Sequence, residues 1–142
     1  ASVKSNTVYA ITGIKRNGRR TSLLMHRAIL GVTDSKVDVD HGDGNGLNNQ
    51  RENIRSCTHS QNMMNQGSRR GLSKFKGVCF KQSSKRWAAA ISINRRIKHI
   101  GYFSNEEDAG RAYNQFAKIH YGEFAKFNDV TPMFPDTEQS FR

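Results

Sequence analysis

The chain has 142 residues, 35% of them hydrophobic, with a mean hydropathy of -0.75. No run approaches the roughly 20 apolar residues of a membrane span, and we see no hydrophobic signal segment. Recurring apolar clusters and only two prolines exclude a collagenous or wholly disordered chain. Lysine and arginine number 23 against 12 aspartates and glutamates, and this net charge of +11 favours a polyanionic partner such as DNA, RNA or an anionic membrane surface.

The first predicted element is a β-hairpin. Two β-prone runs, at residues 8–11 and 21–25, flank Asn17-Gly18, which is a strong signal for a two-residue turn. Residues 26–30 then predict a short helix that ends at Gly31.

A strand, a long loop, a second strand and a helix are predicted next. Residues 37–41 alternate between the two faces of a strand, whereas three glycines within residues 42–46 favour a loop. The second strand fits residues 53–57. Thr58 and Gln61 have the spacing of a capping box, so a helix is expected to begin there.

The second half of the chain predicts a small antiparallel sheet. Three short strand-like runs, at residues 77–81, 87–93 and 98–103, follow one another closely enough to form a meander.

A longer helix is predicted after the sheet. Ser104 and Glu107 have the spacing of a second capping box, and Gly122 is the stop signal. Phe124 and Phe127 are expected to fold back and close the core. The helix face toward the sheet is expected to comprise Ala109, Ala112, Tyr113, Phe116, Ala117 and His120.

These elements predict an α+β protein with domains at residues 1–70 and 71–130 and a loose tail at residues 131–142. The boundary is expected where Gly, Ser and Arg are frequent, between residues 66 and 73. Cys57 and Cys79 are too few for a disulfide framework and are expected to be buried in a reducing compartment.

The order of elements in residues 37–66 brings four polar side chains together. A strand pair places Asp40 and His41 at one edge, and the helix folds back across that edge so that Asn62 can face Asp40. Asn53 begins the second strand beside them.

These residues resemble a known family. The pattern Asp40-His41-x-Asp43-Gly44-Asn45, then Asn49, then Glu52-Asn53-Ile54-Arg55, then Gln61-Asn62, is similar to the HNH or ββα-metal nuclease motif, above all in phage- and intron-encoded homing-type endonucleases. His26-Arg27 matches a His-Arg pair common upstream of the motif in that subfamily. The final motif position is Asn62 rather than His, a departure that occurs within the homing branch.

The resemblance implies a hydrolase of phosphodiester bonds with His41 as general base. Asp40 and Asn62 would bind one divalent cation, Mg²⁺ or Mn²⁺, and Asn53 would brace the loop that holds His41. The residue chemistry agrees, because a neutral imidazole can accept a proton from water and carboxylate and amide oxygens suit Mg²⁺. A calcium loop of the EF-hand type at Asp43 is disfavoured because the distal Glu is missing.

Residues 71–103 contain eight basic residues and no acidic one. A merely solubilising surface would intersperse acidic groups. The runs Phe75-Lys76-Gly77-Val78, 87–91, 100–103, 106–113 and 122–128 resemble the AP2 DNA-binding domain over its full length. This resemblance implies a three-stranded sheet backed by one helix, with the other sheet face in the DNA major groove and Trp87 in the core. Its expected DNA contacts are Lys76, Lys81, Lys85, Arg86, Arg95, Arg96 and Lys98.

Together the resemblances imply an HNH endonuclease that cuts duplex DNA and anchors itself through an AP2-like domain. We expect a monomer or dimer without membrane contact, located in the host cytoplasm if it is encoded by a phage or an intron. Arg51 and Arg55 are further expected DNA contacts, and in a competing view the HNH module supplies the affinity through Arg51, Arg55, Arg69 and Arg70. The alternatives are a non-cleaving DNA-binding protein with a structural HNH module and an RNA-binding protein, although the latter would need exposed aromatic platforms.

Overall fold

The computed structural model of the protein describes residues 7–67 and 73–131. The chain divides into two compact units, Ala1–Gln66 and Gly67–Arg142. Arg69, Arg70 and the tail from residue 132 onward lie outside the described residues.

The N-terminal unit contains two antiparallel strand pairs and two short helices. Strand β1 pairs with β2 and strand β3 with β4. In chain order its elements are β1 (Ile11–Arg16), β2 (Arg19–Leu24), α1 (Met25–Leu30), β3 (Asp38–His41), β4 (Ile54–Cys57) and α2 (His59–Asn65).

Local sequence signals set the ends of these elements. Asn17 and Gly18 both have positive φ (48° and 77°), as tight two-residue hairpin turns require. Gly31 ends α1 in the left-handed conformation. The capping box of α2 is complete, because the Thr58 hydroxyl accepts from the Gln61 amide while the Gln61 side chain accepts from the Thr58 amide. The hairpin, the short helix and this cap are therefore confirmed.

The C-terminal unit is a three-stranded antiparallel sheet, in the order β5-β6-β7, packed against one helix. Its core contains Phe75, Val78, Ala89 and Ala109, with Trp87, Ile100, Phe103 and Val130 packed around them. Trp87 thus packs against the core, as predicted. Its elements are β5 (Val78–Lys81), β6 (Arg86–Ile93), β7 (Arg96–Phe103), α3 (Glu106–Tyr121) and a 3₁₀ turn at Gly122–Phe124.

Gly77 allows the segment before β5 to lie directly on the helix. Its φ is +73°, and a Cβ at this position would overlap the Tyr113 ring. Tyr113 is one of the largest fully buried side chains of the described residues, so a side chain at residue 77 would displace part of the core.

Several sequence predictions about this unit are wrong in detail. The N-cap of α3 is Asn105, whose side chain accepts from the Asp108 amide, and not Ser104. Phe127 is 50% exposed, and Val130 packs against the core in its place. Cys79 is exposed although Cys57 is buried, because Cys79 points away from the helix. The buried helix face is rotated from the predicted one and comprises Ala109, Gly110, Tyr113, Ala117 and Tyr121, while His120 is exposed.

Within residues 7–67 and 73–131, none of the helices has the length and apolar character that crossing a membrane requires.

Candidate active site

The end of strand β3 places Asp40 and His41 in a buried position. The register pairs Asp40 with Arg55 and His41 with Ile54. Asp40 is 4% exposed and His41 5% exposed, against a small core that includes Ile54 and Cys57. Burial raises the pKa of the Cys57 thiol to about 11, with Asp40 and Asp38 adding to the effect, so this cysteine stays protonated at neutral pH and is not a nucleophile.

His41 is oriented by an amide from the loop. Its Nε2 atom lies 3.3 Å from the Asn49 Oδ1 atom. An amide oxygen can only accept a hydrogen bond, so Nε2 carries the ring proton and Nδ1 is the basic nitrogen. The imidazole is therefore held in the tautomer that can accept a proton at Nδ1. Asn49 belongs to the HNH-like pattern of the sequence, and the structure gives it this direct contact with His41.

Asn53 ties together the two sides of the loop between β3 and β4. Its Nδ2 atom donates to Asp43 Oδ1 (3.0 Å) and to the Asn48 carbonyl (2.8 Å), and its Oδ1 atom accepts from the Asp43 amide (3.0 Å). Its carbonyl accepts from the Gly42 amide, one residue after His41. These contacts are the ones that the predicted bracing of the loop by Asn53 requires, and they join Asn53 to the loop and not to His41 itself.

Asp43 organises the same loop from within. Hydrogen bonds from the Asn48 side chain, the Asn45 amide and the Asn53 side chain hold the pKa of its carboxyl below the usual value. Both carboxylate oxygens accept hydrogen bonds in these contacts. The contacts within the loop therefore explain the position of Asp43 without a calcium ion.

Asp40 is bonded by Arg55 and Asn65, and this differs from the prediction. Its Oδ2 atom accepts from Arg55 Nε at 2.9 Å and Nη2 at 2.8 Å, and its Oδ1 atom accepts from Asn65 Nδ2 at 2.8 Å. Asn65 also donates to the His41 carbonyl. The expectation that Asn62 faces Asp40 is therefore wrong, since the residue one helical turn later takes that place. The placement of Arg55 likewise argues against its predicted DNA contact, because its guanidinium pairs with a buried carboxylate.

Asn62 instead pairs with a second carboxylate on the same face of β3. Its Nδ2 atom donates to Asp38 Oδ2 at 3.1 Å, and His59 Nδ1 lies 3.0 Å from the same oxygen. The Asn62 hydrogen bond, ahead of that from His59, holds the pKa of Asp38 below its usual value. Asp38 and Asp40 are two residues apart on one strand and so face the same side, toward α2.

Two rings that sequence analysis did not assign to the site flank His41. His26, at 5% exposure, meets the His41 ring edge-on with centroids 5.0 Å apart, and Tyr9 lies 5.4 Å from His26 and 5.8 Å from His41. The Nδ1 atom of His26 is buried and has no hydrogen-bond partner among the described residues. Burial, and then His41 and Arg27, lower the pKa of His26, which keeps this ring neutral.

Gly46 brings the loop into contact with the N-terminal segment. A Cβ at Gly46 would lie 2.5 Å from the Val8 carbonyl oxygen and 2.7 Å from the Tyr9 ring. Only glycine allows this approach. Tyr9 lies more than 30 residues before His41, so no local pattern could have connected the two.

The donors around Asp40 fit a hard divalent cation in their chemistry. Two carboxylates lie between β3 and α2, where the Nδ2 atoms of Asn62 and Asn65 donate to them. Carboxylate and amide oxygens together with water are the ligands that Mg²⁺ prefers. The ion pair with Arg55 shows that Asp40 already attracts positive charge. Across the described ranges, no group of three or more His, Cys, Asp or Glu side chains is arranged to hold a metal ion.

In the C-terminal unit, the sheet face away from α3 carries part of the predicted DNA-contact set. Lys81 pairs with Arg86, and Cys79 pairs with Ala88 on the same face, whereas the neighbouring pair of Val78 and Ala89 enters the core. We call this surface the outer sheet face. Tyr102, paired with Ala88, and His99 also lie there, with their rings 4.6 Å apart.

A β-bulge removes two predicted basic residues from the outer sheet face. The register shifts between Ala89 and Ala90, so that Lys98 pairs with buried Ile91, and Arg96 pairs with Ile93. The Lys98 Nζ atom lies 5.5 Å from the centroid of the Phe116 ring on α3. The prediction that the basic residues share the face opposite the helix is therefore wrong for Lys98 and Arg96.

The other predicted contacts lie in turns or at the sheet edge. Lys85 and Arg95 both have positive φ, at 54° and 63°, in the two hairpin turns. Lys76 precedes β5, and its backbone is held on both sides by the Asn128 amide. In the N-terminal unit, the exposed Arg51 donates to the Ile29 carbonyl.

The candidate site lies in a stretch that is similar to a known family. Residues 19–64 match the sequence model of the HNH endonuclease family, and this stretch includes Asp40, His41, Asn53 and Asn62. Part of the N-terminal unit is therefore similar in sequence to an HNH endonuclease domain, and the candidate site lies inside the matched stretch.

One relative extends the match beyond that domain. The chain is 36% identical over 102 residues to a protein of Acanthamoeba polyphaga mimivirus named uncharacterized HNH endonuclease L560. The match covers 72% of this chain and 52% of the relative, so the chain spans about half the length of that protein. A match of 102 residues cannot fit within the N-terminal unit and therefore reaches into the C-terminal unit. No solved structure matches the chain.

Proposed function

We propose that this chain is a divalent-metal-dependent DNA endonuclease of the homing type, which hydrolyses phosphodiester bonds in duplex DNA and binds its target through an AP2-like C-terminal domain. The observation that carries the proposal is the His41–Asn49 contact inside a stretch that matches the HNH endonuclease family. It leaves Nδ1 of His41 as the basic ring nitrogen, on the residue that directly follows Asp40 in β3.

The residues divide the work as follows. His41 Nδ1 accepts a proton from the attacking water, whose oxygen bonds to phosphorus as the bond to the 3′ oxygen breaks. Asn49 fixes the tautomer, and Asn53 holds the loop. Asp40 with Asn65, and Asp38 with Asn62, lie on one face of β3 against α2 and would hold Mg²⁺ or Mn²⁺. The cation would stabilise the negative charge that develops on the phosphate.

The C-terminal unit supports the binding part of the proposal through its shape and charge. A β-sheet surface can enter the major groove and reach base edges. Lys81 and Arg86 lie on the outer sheet face, and Lys85 and Arg95 lie in the turns at its ends. These four cations are the contacts that we propose for phosphate or guanine.

The test is nicking of supercoiled plasmid in Mg²⁺. His41→Ala should lower the rate by roughly 10²- to 10⁴-fold, the usual contribution of a general base, while binding of duplex DNA in EDTA is unchanged. His120→Ala is the matched control, because His120 is an exposed histidine on α3 outside the site. Full-rate nicking by pure His41→Ala protein would overturn the assignment. Equal activity in EDTA and in Mg²⁺ would overturn the metal requirement.

A second candidate is a non-cleaving DNA-binding protein in which the HNH unit is structural. The burial of Asp40 and His41 and the ion pair of Asp40 with Arg55 favour it, since these contacts also stabilise a fold. It predicts that the wild-type chain binds duplex DNA and that neither Mg²⁺ nor Mn²⁺ produces nicks.

A further inference from the structure

The hairpin β1–β2 ends in four cations at its tip. Lys15 and Arg16 precede the Asn17-Gly18 turn, and Arg19 and Arg20 follow it. The register pairs Lys15 with Arg20 and Arg16 with Arg19, so that both pairs place like charges directly opposite each other.

Such pairs destabilise a hairpin, and nothing in the described part of the chain offsets them. Like charges opposite each other on adjacent strands repel, and an isolated two-stranded ribbon is only marginally stable in water. None of the four side chains forms an ion pair or hydrogen bond with another described residue. Asp34 is the first acidic residue of the sequence, well after the hairpin.

Alternation along the strands places one pair on each face of the ribbon. Lys15 and Arg20 share one face, and Arg16 and Arg19 share the other. All four residues are exposed. The tip therefore presents positive charge in both directions, as a ribbon between two phosphate backbones would need.

The base of the same hairpin is tied to His41 at both ends. Tyr9 comes just before β1 and His26 just after β2, and both rings contact the His41 ring. Strands of six residues extend about 20 Å at roughly 3.3 Å per residue. The tip thus lies within about six base pairs of the candidate active site, at 3.4 Å per pair along duplex DNA.

From these observations we propose that the β1–β2 hairpin is a DNA-binding arm, which enters a groove of the duplex beside the cleavage site and contacts phosphates through Lys15, Arg16, Arg19 and Arg20. The major groove, about 12 Å wide, admits a two-stranded β-ribbon. The proposal takes duplex DNA as the ligand from the proposed function. It adds a DNA-binding surface in the N-terminal unit that is separate from the outer sheet face.

The experiment measures how the binding constant for duplex DNA varies with salt, in EDTA so that no cleavage occurs. Full-length wild type is compared with the double variants Lys15→Gln/Arg20→Gln and Arg16→Gln/Arg19→Gln. Each phosphate contact contributes about -0.9 to the slope of log K against log salt, so each double variant should flatten the slope by about 1.8. Lys36→Gln/Lys118→Gln is the charge-matched control, because both lysines are exposed and lie outside the proposed contacts.

Thermal unfolding separates loss of contacts from loss of fold. Removing repulsive pairs should leave the melting temperature of the double variants unchanged or higher, while DNA affinity falls. Slopes equal to that of the control, or a lower melting temperature that accompanies the lost affinity, overturn the proposal. A parallel titration with anionic phospholipid vesicles tests a membrane surface as the partner. If the double variants lose vesicle binding but bind duplex DNA as the wild type does, the proposal is also overturned.

The same variants distinguish this inference from the proposed function. At saturating DNA in Mg²⁺ they should nick at the wild-type rate, since none of the four residues belongs to the catalytic set. If the wild type nicks DNA but the variants bind it like the control, the proposed DNA-binding role of the hairpin is wrong and the proposed endonuclease function is retained. If the wild type does not nick DNA but the double variants flatten the slope of log K against log salt, the proposed endonuclease function is wrong and the hairpin is retained as a DNA contact.

Discussion

His26 lies beside the candidate base without hydrogen bonding it. Its ring is buried, meets His41 edge-on, and has an Nδ1 atom with no partner among the described residues. Protonation of this ring would place a charge in a nonpolar setting next to a second imidazole. Because this burial disfavours the charged form of the ring, the pKa of His26 is lowered.

This penalty gives the fold a dependence on pH. The pKa of His26 lies below its ordinary value of 6.5 in the folded protein, so just below pH 6.5 the unfolded chain binds more protons than the folded one. The free energy of unfolding should therefore decrease as the pH falls from about 7.5 to 5.5. Asp38 and Asp43, whose pKa values lie below 3.8, lose their contributions only at lower pH.

Urea unfolding at several pH values measures this effect. His26→Phe retains a ring against Tyr9 and His41 but cannot titrate, and its unfolding free energy should change less over the same range. An equally steep pH dependence in wild type and His26→Phe would show that another group is responsible.

At the scale of elements, the turn between β6 and β7 has a backbone that its sequence does not favour. Asn94 and Arg95 both have positive φ, at 50° and 63°. Asparagine tolerates this region, whereas an arginine there costs roughly 1 kcal/mol. The same turn places Arg95 at an end of the proposed DNA-binding sheet.

Arg95→Gly should therefore raise the free energy of unfolding by about 1 kcal/mol while weakening duplex binding. Chemical denaturation and a binding titration measure the two effects. Asn94→Gly is the control and should gain less stability, because asparagine already accepts the conformation. A less stable Arg95→Gly protein would contradict the assigned strain, and unchanged binding would remove Arg95 from the DNA contacts.

At the scale of the whole molecule, the two cysteines report on different surroundings. Cys57 is buried with its pKa raised to about 11, whereas Cys79 is exposed on the outer sheet face. A neutral maleimide should modify Cys79 alone in the native protein. If the outer sheet face binds DNA, saturating duplex should slow that reaction at least several-fold.

The control for this measurement is Cys79→Ser, which should take up no label until it is unfolded. Mass spectrometry counts the labels. Equal labelling rates with and without saturating duplex would exclude the outer sheet face as the main anchor, leaving the N-terminal unit to supply the affinity.

How much of the molecule follows from sequence depends on the range of each interaction. The Asn17-Gly18 turn, the capping box at Thr58 and the Asn53 brace depend on residues close in sequence or fixed by a motif, and all were predictable. Their physical causes are local hydrogen bonds and backbone preferences.

What sequence could not supply comes from tertiary packing. Asn65 contacts Asp40 where Asn62 was predicted to do so, because of how α2 is rotated against β3. Residue spacing alone cannot distinguish two positions that lie one helical turn apart. The register shift between Ala89 and Ala90 turns Lys98 toward α3, and Gly101, which pairs with Ala89, does not by itself reveal in the sequence that a bulge occurs there. The contact of Tyr9 with His41 joins segments that are far apart in sequence.

The tight approach of Gly46 to Val8 and Tyr9 has a practical consequence for anyone trimming the protein to a minimal nuclease. The family match begins at residue 19, so a version cut to that boundary would retain every motif residue and still lose the ring that flanks the base. A bare glycine would then face the gap where Val8 and Tyr9 had been. The smallest active form should therefore begin upstream of Val8, and a bulky fusion partner is better attached at the C-terminal end of the chain.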